Sequence, residues 1–187
     1  GKLVAESKAP RIKADAARAA GDARGANGFF QAAIKEYPQD VPLRVRWGDL
    51  FVATHQNNEA VKLFQEALEL DEKYAPALLG LAKVAASGFE EKTREYAKKI
   101  IDDAPDQAAG AHLLLARAAL EDGSIDAGDK ELDRALDLIK KHDFSPLEVY
   151  ALKASVDLLR GTPDSQWTKR ALALNPGYGE AYATPAY

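Results

Sequence analysis

Apolar residues recur along the chain at helical spacing, in short stripes that come in pairs and are broken by Gly, Asp and Pro. Amphipathic spacing sets in near Pro10 and predicts a first helix through residues 14–20, closed by Gly21-Asp22. A second helix is predicted over 27–37, where Phe29, Phe30, Ala33 and Ile34 give an apolar stripe. Pro38 ends it, because proline lacks the amide that the helix ladder needs. The layout returns in 41–74, with Trp47, Gly48 and Phe51 on the first helix and Ala60, Phe64, Ala67 and Leu68 on the second. Residues 75–108 keep Leu78, Leu81 and Ala82 but shorten the turn at Ser87-Gly88, which moves Tyr96, Ala97 and Ile100 one residue off register. In 109–145, Leu113, Leu115, Ala116 and Ala119 precede a turn at Asp122-Gly123, and Leu132, Ala135 and Leu136 lie on a longer helix reaching Lys141. A fifth pair, 146–178, opens on Pro146, whose fixed φ suits a first helical turn. It carries Leu147, Ala151, Leu152, Leu158 and Leu159 to a turn at Gly161-Thr162-Pro163, then a second helix over 164–174.

The pairs share columns. Ala14, Gly48, Ala82 and Ala116 stand 34 residues apart and are all small; Ala26, Phe30 and Ala33 repeat as Ala60, Phe64 and Ala67 at the same offset. A generic apolar stripe does not require this, whereas a stack of helical hairpins does. Each hairpin must bury one face on its neighbour, so small residues are needed where helices approach and large ones where layers are filled. Phe30, Trp47, Phe51 and Phe64 are therefore expected in the core.

This order of an aromatic or Leu, a small residue, Gly-Asp at the turn, then Ala, aromatic, Ala-Leu and a closing Pro resembles the tetratricopeptide repeat (TPR). Ala14, Gly21, Asp22, Ala26, Phe30, Ala33 and Pro38 carry the resemblance in the first pair, and Trp47, Gly48, Phe51, Ala60, Phe64, Ala67 and Leu68 in the second. Ala171, Leu172 and Pro176 carry it in the fifth. The third pair departs, with Arg94 where strict spacing expects a small residue. The resemblance implies an all-α, right-handed α-solenoid of antiparallel helix pairs, with repeats at 7–40, 41–74, 75–108, 109–145 and 146–178. Residues 1–6 read as an N-terminal extension. Residues 179–187 read as the truncated start of a sixth repeat, in which Pro185 interrupts the expected helix.

In TPR proteins the first helices of successive pairs line a concave groove that takes peptides. Carried over position by position, the resemblance implies a groove of Arg11, Asp15 and Arg18, then Val45, Asp49 and Val52, then Leu79, Lys83 and Ala86, then Leu113, Arg117 and Leu120. Apolar Val45, Leu79 and Leu113 with Lys83 and Arg117 one turn further on suit a ligand having an apolar stretch and a carboxylate. The chaperone-tail version of the fold clamps a terminal carboxylate with Lys and Asn; Val45, Asp49 and Gly80 stand at the matching positions, which argues against that clamp.

Composition narrows the function without naming it. The 187 residues are 47% hydrophobic and 29% charged, values that suit a folded chain. The net charge of −4, with Lys98-Lys99 and Lys140-Lys141 set among Asp102, Asp103, Asp137 and Asp143, argues against nucleic acid as a partner. No apolar run approaches a membrane span. Absence of cysteine removes thiolate metal sites, disulfides and cysteine nucleophiles, and leaves cytoplasm and periplasm equally open. The chain starts without Met or a signal layout, which implies a trimmed N-terminus, and its Ala-rich composition suggests a bacterial source.

No catalytic constellation is legible. His55, His112 and His142 are not spaced for a shared metal; His55 and His142 fall at turns, and His112 is expected within a packed helix. Asp122, Ser124, Asp126 and Asp129 resemble a calcium loop but lack its sixth-position Gly and twelfth-position Glu, so a polar connection capping the next helix is expected. Glu90-Glu91 and Asp102-Asp103 diverge around their helices, unlike a facing catalytic pair. The expectation is a non-catalytic scaffold with no cofactor and no metal that binds a peptide or protein. Two alternatives are the repeat region of a larger enzyme such as a bacterial hydrolase, and a self-assembly module joined through Tyr178 and Tyr182 at its C-terminal end.

Overall fold

Asp22, Asp40 and Ser165 mark helix starts by accepting hydrogen bonds from the amides of Gly25 (2.8 Å), Leu43 (3.0 Å) and Trp167 (3.0 Å). The computed structural model describes residues 9–86, 88, 90–142, 145–162 and 164–178, with residues 9–11 and 90 described by their backbone alone. Ten α-helices run through them: α1 (Ala9–Ala19), α2 (Ala23–Glu36), α3 (Val41–Ala53), α4 (Asn57–Leu70), α5 (Ala75–Ala85), α6 (Glu90–Asp103), α7 (Ala109–Glu121), α8 (Ile125–Lys141), α9 (Leu147–Leu159) and α10 (Gln166–Leu174). A 3-10 turn, Pro105–Gln107, leads into α7, and no strand occurs among the described residues. The fold is all-α, an α-solenoid of antiparallel pairs.

The chain divides into two units, 1–87 and 88–187. In the first, α1 and α2 form a hairpin, α2 packs on α3, α3 and α4 form the next hairpin, and α5 lies against α4 and α3. Phe30, Leu43, Ala14, Ala26 and Ala33 are fully buried in its first core cluster, with Trp47 packed alongside. Phe64 is fully buried as well. In the second unit α6 packs on α7, α7 and α8 form a hairpin, α9 lies on α8 and α7, and α10 returns against α9. Its core joins Ala116, Leu132, Ala135, Leu136, Ile139, Val149 and Val156.

Three starts differ from the sequence reading. Helix α2 begins at Ala23 instead of 27, because the Asp22 cap satisfies the first turn and Gly21, at φ 78°, supplies the left-handed turn before it. Pro146 is the residue before α9, and α10 starts at Gln166 because Ser165 caps it. Ser124 precedes α8 without making the expected capping bond. The off-register stretch has a plain structural form. Helix α4 starts at Asn57 and α6 at Glu90, one short of the 34-residue stride, and the buried column is Thr93, Ala97 and Ile100. Arg94 is thereby turned outward, where it pairs with Asp122.

Candidate binding surface

In the first unit α1, α3 and α5 supply the positions expected to line the groove. Asp15 on α1 accepts a hydrogen bond from Nη1 of Arg46 on α3 at 2.8 Å, and its other carboxylate oxygen is buried with no hydrogen-bond partner among the described residues. Asp49, two turns of α3 from Leu43, is half-buried. Burial raises its carboxyl above the usual range, opposed by the charges of Lys83 on α5 and Arg18 on α1. No hydrogen bond to the Asp49 carboxylate is formed among the described residues. Arg18 and Lys83 are exposed, and neither has a carboxylate within ion-pairing distance among those residues. The helices thus set one partly desolvated anion near two solvated cations.

The apolar members behave differently from one another. Val52 and Leu79 are half-buried, whereas Val45 is only 6% exposed and belongs to the core, so it offers a ligand almost no surface. Ala86 is exposed. The Arg11 side chain lies outside the described residues.

Leu113, Arg117 and Leu120 belong to the second unit. Leu113 and Leu120 pack against its core cluster, and Leu120 lies over Gly128 so closely that a Cβ there would come 2.8 Å from its Cδ2. Arg117 donates to Oε1 of Glu148 on α9 from Nη2 (3.0 Å) and Nε (3.3 Å). This arginine ties α7 to α9, a partner that spacing within one repeat could not indicate.

A charge cluster that the sequence reading missed lies between α8 and α9. Lys153, 5% exposed, places Nζ 2.7 Å from both Asp129 and Asp133, while Arg160 reaches Asp129 (2.7 Å) and Asp126 (2.6 Å). Lys153 also stands over the Trp167 ring at 5.3 Å, and Arg170 at 4.7 Å. Burial lowers Lys153, but bonds to the two aspartates outweigh it and its ammonium titrates above the ordinary range. The signal was present as Asp126, Asp129 and Asp133 on one helical face, facing Lys153 and Arg160 seven residues apart. Asp126 and Asp129 of the calcium-like turn are accordingly engaged by cationic side chains.

His112 is 7% exposed, with Nδ1 2.6 Å from Oε2 of Glu131, whereas His55 and His142 are exposed. Tyr178 is half-buried, and Tyr182 lies outside the described residues. Among the described residues no three His, Cys, Asp or Glu side chains group to hold a metal ion, and no helix is long and apolar enough to cross a membrane.

Helical hairpins laid neighbour against neighbour, with Ala14, Gly48, Ala82 and Ala116 buried at a 34-residue stride, define a helical-repeat protein. The fold is that of the tetratricopeptide repeat. A thermophilic TPR protein of Thermus thermophilus, TTC0263, matches with a TM-score of 0.77 at 19% identity, over 94% of this chain and 95% of that one. PilW, a widely conserved type IV pilus biogenesis factor, matches with a TM-score of 0.71 at 17% identity, over 94% and 81% of the two chains. YrrB, described as a TPR protein with an unusual peptide-binding site, matches with a TM-score of 0.56 at 12% identity, over 90% and 86%. No family model matches the chain, and no curated protein matches it.

Proposed function

We propose that this chain is a non-catalytic scaffold that holds a peptide or protein partner on the inner helices of its first unit, α1, α3 and α5. The observation that carries the reading is Asp49. A half-buried carboxylate raised by desolvation and facing the charges of Lys83 and Arg18 is the kind of perturbed group that concentrates at binding sites. A peptide amide or ammonium group satisfies Asp49, while Arg18 and Lys83 receive acidic side chains and Val52 and Leu79 take an apolar stretch. The peptide-binding site attributed to YrrB supports a peptide ligand for this fold. Arg117, already bonded to Glu148, contributes to packing between α7 and α9.

The test is selection of a random twelve-residue peptide library on the immobilised chain, followed by calorimetry of the enriched peptides with Asp49→Asn and Lys83→Glu. Loss of at least tenfold in affinity with unchanged helical circular dichroism is the expected result. Enriched peptides that bind both variants as tightly as the parent chain would remove this face from the site.

A further inference from the structure

A second recognition feature lies on another side of α3. Phe51 follows Asp49 by two residues, so at about 100° per residue its side chain leaves the helix roughly 200° away. There the start of α2 and the end of α3 enclose a depression of about 280 Å³ lined by Ala23, Arg24, Asn27, Leu50, Phe51 and the neighbouring polar rim of Thr54 and Gln56. Ligand pockets usually run from about 300 to 1,000 Å³, so this one has room for a side chain and little more.

Its chemistry is two-sided. Phe30 and Phe64 are fully buried, but Phe51 is only half-buried, and Trp47 packs against it with ring centroids 5.9 Å apart. An aromatic surface remains open to a further ring, a contact that adds to simple area burial. Asn27 accepts from Nε1 of Trp47 at 2.8 Å, which fixes its amide at the wall and leaves its NH2 without an acceptor among the described residues. Thr54 is occupied by its own helix, its hydroxyl donating to the Leu50 carbonyl at 3.0 Å. Arg24 is the one charged residue in the lining; it is exposed and has no carboxylate within ion-pairing distance among the described residues.

We infer that this depression is a docking pocket for an aromatic side chain of a partner whose adjacent residue is acidic. The ring enters against Phe51 and Leu50, and the neighbouring carboxylate reaches the Arg24 guanidinium and the Asn27 amide. This inference stands apart from the Asp49 face, since it shares none of its residues.

The experiment titrates the isotope-labelled chain with N-acetyl-Phe-Glu amide and, separately, N-acetyl-Phe-Lys amide, reading backbone amide shifts by NMR. The expected result is saturable millimolar binding of the Glu compound, with shifts confined to the Arg24, Asn27, Phe51 and Gln56 region, and at least fivefold weaker binding of the Lys compound. Arg24→Glu, a surface change, should reverse that preference, and Phe51→Leu should weaken both while the spectrum elsewhere is kept. Asp49→Asn should bind the dipeptides as the parent does, which separates failure here from failure of the groove. Absence of saturable shifts at these residues, or equal binding of the two dipeptides, overturns the inference.

Discussion

Gly48 and Phe64 approach so closely that a Cβ on the glycine would lie 2.6 Å from Cε1 of the ring. The ring's other neighbour is Gly80, where a Cβ would lie 2.5 Å from Cζ. A fully buried aromatic on α4 is thus held between α3 and α5 through two places that have no side chain.

Gly48→Ala and Gly80→Ala are therefore each expected to destabilise the chain. Alanine gains about 1 kcal/mol over glycine in a helix interior, but overpacking a close contact costs about 1–3 kcal/mol, so the balance is a loss on the order of 1 kcal/mol. Urea unfolding should show a lower midpoint. Adding Phe64→Leu to Gly48→Ala should recover part of that loss, and strict additivity of the two changes would contradict the packing described.

His55 sits at φ 58°, in the left-handed region that Gly21, Gly123 and Gly161 occupy after α1, α7 and α9. A side chain there costs about 1–2 kcal/mol, and glycine returns about 0.5–1 kcal/mol of that through its freer unfolded state. His55→Gly should raise stability by roughly 0.5–1 kcal/mol. Gly21→Ala and Gly123→Ala should lower it, which thermal unfolding of the three variants would check.

The small-residue columns made the stacking legible, because close helix approach leaves a mark at fixed stride. Ala14, Ala82 and Ala116 are completely buried. The irregular third pair was legible too: the early turn turned Arg94 outward and brought Thr93 into the column. What spacing could not supply was the facing partner. Val45 was expected as groove lining and lies in the core, 6% exposed. Lys153, which no repeat column singles out, is buried and paired with aspartates that arrive from α8.

Lys153→Met tests that cluster. Removing one member of a buried pair typically costs about 3–5 kcal/mol, and the exposure of Asp133 brings the expected loss here to about 2–4 kcal/mol. Burial raises the Asp129 carboxyl, but hydrogen bonds from Lys153 and Arg160 more than reverse this, so it titrates below its ordinary value. A depressed carboxyl contributes stability above its unfolded pKa of about 3.9 that is lost as pH falls through the folded value. Lys153, raised, contributes stability below about 10.4 that is lost as pH climbs through its folded value. The parent chain should accordingly lose this contribution at both ends, and Lys153→Met should flatten the alkaline limb and shrink the acid limb, because the folded Asp129 value moves back toward the unfolded one. Unfolding midpoints across pH that match the parent in shape would rule the cluster out as a source of stability.

Asp49 calls for the opposite sign. Its carboxyl is raised by burial beyond what Lys83 and Arg18 recover, so the folded chain disfavours the charged form relative to the unfolded one. Stability should therefore increase as pH falls through the folded pKa toward about 3.9, and the charged state should be a burden at neutral pH. Asp49→Asn, which removes the charge at nearly constant shape, is expected to raise the unfolding midpoint at pH 7, with the advantage shrinking as pH falls through the folded pKa and gone below about 3.9. The same substitution should weaken a groove-bound peptide, because an amide accepts from a cationic or amide donor less strongly than a carboxylate. Gain of stability together with loss of binding separates a group retained for a ligand from one retained for the fold. A variant that is less stable at pH 7 would mean that Arg18 and Lys83 already compensate the carboxylate, and that Asp49 serves the packing of α1, α3 and α5.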